Sequence, residues 1–320
     1  MPTINTTSFF QVSHFVLIGF PSIQSWQHWL SIPMVVLLLL AVVANITILA
    51  VIWRESRLHE PMYYFLCILA VSDLVLCMSS NPRILGILWF NMKDINLQDC
   101  FLQMYIMNTF VAVESATFLF MAYDRCIAIC DPLRYSSVMT RRFVVKALVF
   151  IVLRNTLLFV PLPVLAARLQ YCSGMLVQNC LCSNVSVTAL ACNDRLVNKV
   201  YQLVIGFGLL GGDLVFISIS YCMILWVVTK LQVEGAMAKA LGTCTPHLIL
   251  ISFFYTLLLV WIFTNTMQHL IPPDVPILLN ALHLLVPPAL NPIIYGVRTK
   301  DIRQAIIKLL RDSQAGLKVN

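Results

Sequence analysis

Charge is what this chain has least of. Asp, Glu, Lys and Arg make up 11% of its 320 residues, against 60% hydrophobic, and the mean hydropathy is +0.86. Soluble domains carry about 25% charged residues, so a water-solvated globule is excluded. Histidine is sparse too. The six, at His14, His28, His59, His247, His269 and His283, show no metal-ligand spacing and no cysteine partner, which argues against an integral-membrane enzyme. Internal repeats and a row of pore-lining charges are also missing, which weighs against a transporter or channel. The head, MPTINTTSFFQVSHF, has no basic stretch and no cleavage site, so the first apolar run is expected to be its own insertion signal.

What is present is a series of seven apolar runs, near 30–53, 62–88, 100–123, 143–165, 200–228, 238–263 and 275–295. Each approaches the ~20 residues a membrane helix needs. Open strands would leave backbone groups unpaired in lipid, so the runs read as helices. Fifteen of the 21 Lys and Arg lie in or beside the loops after spans one, three and five or in the tail, among them Arg57, Arg134, Arg141, Lys239 and Arg298. The opposite side holds Lys93, Arg168, Arg195 and Lys199. The positive-inside rule then places the N-terminus outside and the C-terminus in the cytosol of a multi-pass plasma-membrane protein. The net charge of +7 flanks helices and answers to lipid rather than nucleic acid. In the tail, Ile302, Ile306, Leu309 and Leu310 form an apolar face, with Lys300, Arg303, Lys308 and Arg311 on other faces. The predicted fold is an all-α integral membrane protein: a seven-transmembrane helix bundle (30–297), an extracellular segment (1–29) and a cytosolic tail (298–320) with a short amphipathic interfacial helix.

Of eleven cysteines, five face outside: Cys100 at the head of span three, and Cys172, Cys180, Cys182 and Cys192 in a loop near 166–199. One bridge from Cys100 would tie that loop down and a second would close it on itself, leaving one thiol over. Asn5-Thr6-Thr7 is an outer-side glycosylation sequon, and Asn184-Val185-Ser186 a weaker one. Asn45-Ile46-Thr47 lies within a span and is set aside.

Ionisable groups at membrane depth are expensive and mark function by default. Asp73, Glu114 and Asp213 fall mid-span. Asp73 and Glu114 reach comparable depth and are expected to hold a cation or proton between them, the plainer alternative being a protonated, hydrogen-bonded carboxyl. Arg83 and Arg154 lie nearer helix ends, where they can snorkel or pair. On span three, Asn108, Val111, Ala112 and Ser115 share one face beneath the presumed lid, which suits either a small ligand or ordinary packing.

Five motifs then stand in order along the chain: Leu58-His59-Glu60-Pro61-Met62-Tyr63-Tyr64-Phe65-Leu66, Met121-Ala122-Tyr123-Asp124-Arg125 running on to Ala128-Ile129-Cys130-Asp131-Pro132-Leu133-Arg134-Tyr135, Ser220-Tyr221, Lys239-Ala240-Leu241-Gly242-Thr243-Cys244-Thr245-Pro246-His247-Leu248, and Pro287-Pro288-Ala289-Leu290-Asn291-Pro292-Ile293-Ile294-Tyr295. Together they resemble the class A, rhodopsin-like G-protein-coupled receptors, and within them the olfactory (odorant) receptors of the class I, fish-like group.

The resemblance implies a role for the Asp124-Arg125 pair at the cytosolic end of span three. Arg125 is expected to be held in the inactive state and released toward a stimulatory heterotrimeric G protein, with Tyr221 and Tyr295 as its active-state partners and Asn291-Pro292 breaking span seven. It implies a sodium ion at Asp73 and Glu114, and disulfides Cys100–Cys182 and Cys172–Cys192 with Cys180 free. Cys126 departs from the family's usual tyrosine, and Gly242 and Pro246 from its usual serines; coupling is expected to survive because Arg125 is kept. Some class I members anchor short carboxylic acids on an arginine near the outer end of span six, where this chain has Thr266, with Ile262, Phe263 and Asn265 beside it. A neutral, largely apolar volatile is therefore expected, contacting Met107, Asn108, Val111, Ala112, Tyr255, Leu258, Leu259 and Ile262.

Overall fold

The computed structural model describes residues 13–23, 27–172, 174–231, 235–267 and 270–317. Among these, seven helices are long and apolar enough to cross a membrane: α1 (Gln27–Arg54), α2 (Pro61–Phe90), α3 (Leu97–Cys130), α4 (Arg141–Ala167), α5 (Leu196–Lys230), α6 (Ala236–Thr266) and α7 (Asp274–Arg298). An eighth, α8 (Lys300–Leu317), follows. The shortest span, α7, has 25 residues, which at about 1.5 Å each outreaches a ~30 Å hydrocarbon layer. Trp29, Val43, Phe150, Leu157, Phe216 and Trp226 point outward, a surface that lipid leaves no reason to bury.

Local chemistry sets the helix ends. Pro61 opens α2, where a missing N–H costs nothing. Asn91 closes it in a left-handed conformation (φ 53°), its N–H on the Ile87 carbonyl and that of Met92 on Gly86. The Thr140 side chain caps α4 by accepting from the Phe143 N–H at 3.3 Å. In α7, Pro292 cannot donate to the carbonyl four residues back, that of Pro288. Asn45 of α1 makes up the loss, its Nδ2 donating to the Pro288 carbonyl at 2.9 Å. Pro287, Pro288 and Pro292, which fall in run seven, all lie within this one helix. α5 carries a widened π-type turn at Phe207–Gly211, amid four glycines.

α3 is the axis of the bundle, in contact with α2, α4, α5 and α6. Every residue from 112 to 118 is buried, as expected of a helix enclosed on all sides. Two apolar cores stack along it, one at the end that carries the disulfides (the lid end) and one at the end that carries α8 (the tail end), and Val111 packs against both. At the lid end, β1 (His14–Leu17) pairs antiparallel with β2 (Asp94–Asn96) and parallel with β3 (Leu176–Val177). These strands are too short to show as apolar runs, yet Phe15 and Leu17 are fully buried. Gly19 follows at φ 72°, where a Cβ would stand 2.8 Å from Ile87 Cγ2.

The tail helix corrects one residue of the sequence reading. Ile302 and Ala305 are buried and Ile306 and Leu309 half-buried, but Leu310 is exposed. Leu310 lies about 90° from the centre of that i, i+3, i+4, i+7 stripe and shares an outward strip with Ile307.

Candidate functional site

The lid is tied down at several points. Disulfides join Cys100 to Cys182 and Cys172 to Cys192. Gln103 of α3 accepts from the Cys182 N–H at 3.0 Å and donates to the Ser79 carbonyl of α2 at 2.9 Å. Cys180 is free and fully buried, and that burial pushes its thiol up to about 12, away from the thiolate that would react. Asn184 is buried, with its Nδ2 donating to Asn198 (2.8 Å) and Gln202 (2.6 Å), so the second sequon offers no amide to a sugar. Asn5 lies outside the described residues.

Beneath the lid, Met107 packs in the same core as Leu181 and Leu284. Asn108 is half-buried and turns its amide back onto its own helix, Nδ2 to the Met104 carbonyl at 2.8 Å. Val111 bridges the two cores, whereas Ala112 faces Phe159 and Leu162 of α4. On α6, Tyr255 and Leu258 are buried and Ile262 half-buried. Leu259 is 56% exposed and faces away from this space. It stands about 100° from the centre of the buried α6 stripe, so spacing from Tyr255 alone misplaces it.

At mid-depth lies a polar network that the sequence reading did not assemble. Arg154 of α4 grips Asp213 of α5 with both ends of its fork, Nη1 to Oδ1 at 3.1 Å and Nη2 to Oδ2 at 3.0 Å. Ser115 of α3 donates to Asp213 at 2.9 Å and accepts from the Tyr255 hydroxyl of α6 at 2.8 Å. Tyr255 also approaches the Leu210 carbonyl of the widened turn at 3.3 Å. Four helices meet here. Arg154 is at the middle of Arg141–Ala167 and not near a helix end as the sequence reading had it. The signal that could have found the pair was charge balance, since an arginine at that depth in lipid needs an acid.

Asp73 and Glu114 do come together, across α2 and α3, within hydrogen-bonding reach of one another. Both are buried. Asn291 of α7 donates to Asp73 at 3.0 and 3.2 Å, while Glu114 Oε1 has no partner. Two facing carboxyls with an unsatisfied oxygen suit a small cation or a shared proton.

At the tail end, Arg125 is ion-paired with its neighbour Asp124, its Nε at 2.9 Å from Oδ2. The Tyr135 hydroxyl, from the loop after α3, donates to Asp124 Oδ1 at 2.9 Å. Burial first, and the Asp124 carboxylate second, hold the Tyr135 hydroxyl above its usual range. Tyr221 and Tyr295 are buried in the same core but make no hydrogen bond to Arg125: the Tyr221 hydroxyl is unpartnered and that of Tyr295 meets Met121 Sδ at 3.9 Å. His247 lies edge-on to the Tyr295 ring. Cys126 is buried beside Cys130, with sulfurs 3.9 Å apart. Pro292 lies one residue beyond Asn291, so the Asp73 contact and the helix irregularity share one turn of α7.

The crystal structure of squid rhodopsin superposes with a TM-score of 0.75 over 90% of this chain and 86% of that one, at 16% sequence identity. The fold is therefore the seven-helix fold of rhodopsin. A family model described as "Olfactory receptor" matches residues 34–313. Olfactory receptor 56A5 of Homo sapiens is 55% identical over 97% of this chain and 99% of its own length. Olfactory receptor 56B34 of Mus musculus is 46% identical over 95% and 94%. The chain belongs to the olfactory receptor family, as a multi-pass membrane receptor and not an enzyme.

Proposed function

We propose that this receptor binds a small, neutral, largely apolar odorant beneath the 172–192 loop and thereby activates a stimulatory, olfactory-type G protein that raises cyclic AMP. The lid end faces the exterior, and α8 and Arg125 face the cytosol. The odorant contacts Met107, Asn108, Val111, Leu258 and Ile262, with Ala112 shaping the α4 side. The observation that carries this reading is Tyr255, whose ring sits in the core next to Leu258 while its hydroxyl joins Ser115, Asp213 and Arg154. A ligand that shifts Tyr255 alters the link among four helices at once, and α6 is then free to swing outward. A ligand works only through differential affinity for the two arrangements.

Asp73 and Glu114 would hold a sodium ion, which would supply positive charge between α2 and α3, with Asn291 bringing α7 to the same place. Arg125, paired with Asp124 and steadied by Tyr135, is in the held arrangement; release toward Tyr221 and Tyr295 would open a G-protein cleft. The apolar lining, with Thr266 where a basic anchor would stand, supports a neutral ligand.

The test is cyclic AMP in cells displaying the receptor with an olfactory-type stimulatory G protein, screened against neutral and acidic volatiles. Responses to neutral volatiles, abolished by Arg125→Ala at equal surface expression, are expected. Activation by short fatty acids alone overturns the ligand assignment, and a response that survives Arg125→Ala overturns the coupling role.

A further inference from the structure

Cys126 follows directly on the Asp124-Arg125 pair, and neither that pair nor the odorant makes use of it. It does not stand alone. One helical turn further on, Cys130 brings its sulfur within 3.9 Å of the Cys126 sulfur. Cys126 is 5% exposed and packed in the tail-end core, whereas Cys130 is half-buried against that core. Cys130 is also the last residue of α3, so both thiols lie within about 6 Å of the helix end. With 34 residues α3 is about 50 Å long and outreaches a ~30 Å hydrocarbon layer. Its last turn therefore meets water and small solutes.

The spacing of the pair fits a disulfide in one respect and misses it in another. Four residues of helix separate the Cα atoms by about 6 Å, within the range a disulfide spans. The Cβ atoms of such a pair stand about 5–6 Å apart, whereas a disulfide needs about 3.8 Å. The two sulfurs can join only if the last turn of α3 gives way. That turn is well placed to do so. Asp131 has already left helical geometry (φ −140°, ψ 66°), and its N–H closes the turn on the Ile127 carbonyl at 3.0 Å. Helix ends open at little cost.

We propose that Cys126 and Cys130 are a reversible redox pair, which a hydroperoxide closes into a disulfide and which opens the last turn of α3 as it closes. Cys130, the more accessible thiol, reacts first. As thiolate it attacks one oxygen of hydrogen peroxide, the O–O bond breaks, and a sulfenic acid and one water form. The Cys126 sulfur gives up its proton, attacks the Cys130 sulfur and expels the hydroxyl as a second water. In all, two thiols lose two electrons and two protons, and one peroxide becomes two waters. A bond that holds its turn distorted is readily reduced again by a dithiol. The consequence for signalling rests on the proposed holding of Arg125 by Asp124. Tyr135 follows Cys130 by five residues and donates to Asp124 at 2.9 Å. Opening the turn moves the chain that carries Tyr135, so oxidation should raise basal activity about two- to tenfold, the equilibrium shift of one lost hydrogen bond.

The experiment uses membranes of cells expressing the full-length receptor, treated with hydrogen peroxide, with or without later dithiothreitol, then blocked with N-ethylmaleimide. Trypsin cuts after Arg125 and Arg134, so one peptide, 126–134, carries both thiols. After peroxide it should appear unblocked and lighter by two hydrogens in the mass spectrum, and dithiothreitol should restore two blockable thiols. Hydrogen exchange of the purified receptor at residues 127–131 should quicken on oxidation. Cys126→Ser and Cys130→Ser should each abolish these changes and the rise in basal cyclic AMP, while Cys244→Ser, a thiol of the same core, should keep them. A peptide that only gains oxygen, one bridged to Cys244, or a bond that forms with exchange unmoved would overturn the proposal. A bond that opens the turn while basal cyclic AMP stays level supports the redox pair and overturns instead the holding role of Asp124.

Discussion

The two ends of the bundle are held by different chemistry. The lid end is fastened by two disulfides, which rearrange only over minutes to hours, together with a three-stranded sheet and Gln103 bonded both ways. The tail end is fastened by polar contacts that have ready alternatives: Asp124 with Arg125 and Tyr135, and Glu55 with Lys308 at 2.9 Å. An end that recognises a small molecule benefits from fixed walls, since ordering them on binding would reduce affinity. An end that must present two shapes needs contacts it can trade. The Arg154–Asp213–Ser115–Tyr255 network lies between the two, where the proposed mechanism has it couple them.

The largest expected effect comes from cutting that coupling. Arg154→Met leaves Asp213 buried without its partner, at about 3–5 kcal/mol, read as lost thermal stability in detergent. The double variant R154M/D213L should regain much of the stability but not the odorant response. Recovery of both would mean that the network only supports the fold. Next, Cys100→Ser opens the 82-residue separation spanned by its disulfide, with about 2–5 kcal/mol lost and little receptor at the cell surface. Asn45→Leu leaves the Pro288 carbonyl unpaired, about 1–3 kcal/mol, with the loss reported from the α1–α7 contact by hydrogen exchange.

Smaller effects belong to the tail end. Tyr135→Phe removes one bond to Asp124, about 0.5–1.5 kcal/mol; basal cyclic AMP should rise while stability barely moves, and a basal level that stays flat would deny Asp124 its holding role. The Glu55–Lys308 pair should matter least. Its hydrogen bond to Lys308 is the main reason the Glu55 carboxyl sits below its usual range. A depressed carboxylate stabilises above its unfolded pKa and stops doing so as pH falls through the folded one. Protection of α8 against proteolysis should therefore weaken in acid, and Lys308→Ala should remove that acid dependence.

Much of this was legible in the chain. Apolar run length gave the seven spans because lipid imposes the same length on each, and the motif set carried the family. Asp73 and Glu114 were placed together by comparable depth alone. What escaped detection depended on rotation about helix axes. Leu259 and Leu310 each sit at a plausible spacing from a buried neighbour yet face outward, because spacing defines a stripe but not its centre. Asp213 lies just beyond the widened turn at Phe207–Gly211 of α5, and one extra residue in a turn rotates everything beyond it, so regular spacing does not turn it toward Arg154 of α4. Asn184 matches a sequon, but the loop folds it inward onto Asn198. The strand His14–Leu17 is four residues long, too short for alternation to register.

The bond from Asn45 to the Pro288 carbonyl has a mechanical consequence. Pro292 gives α7 a place to bend, but the carbonyl it strands is gripped by α1. Any flexing there must either break that grip or carry α1 along. Where the bond is kept, bending of the seventh span draws the first span with it, which makes the first span a moving part of the receptor rather than its anchor.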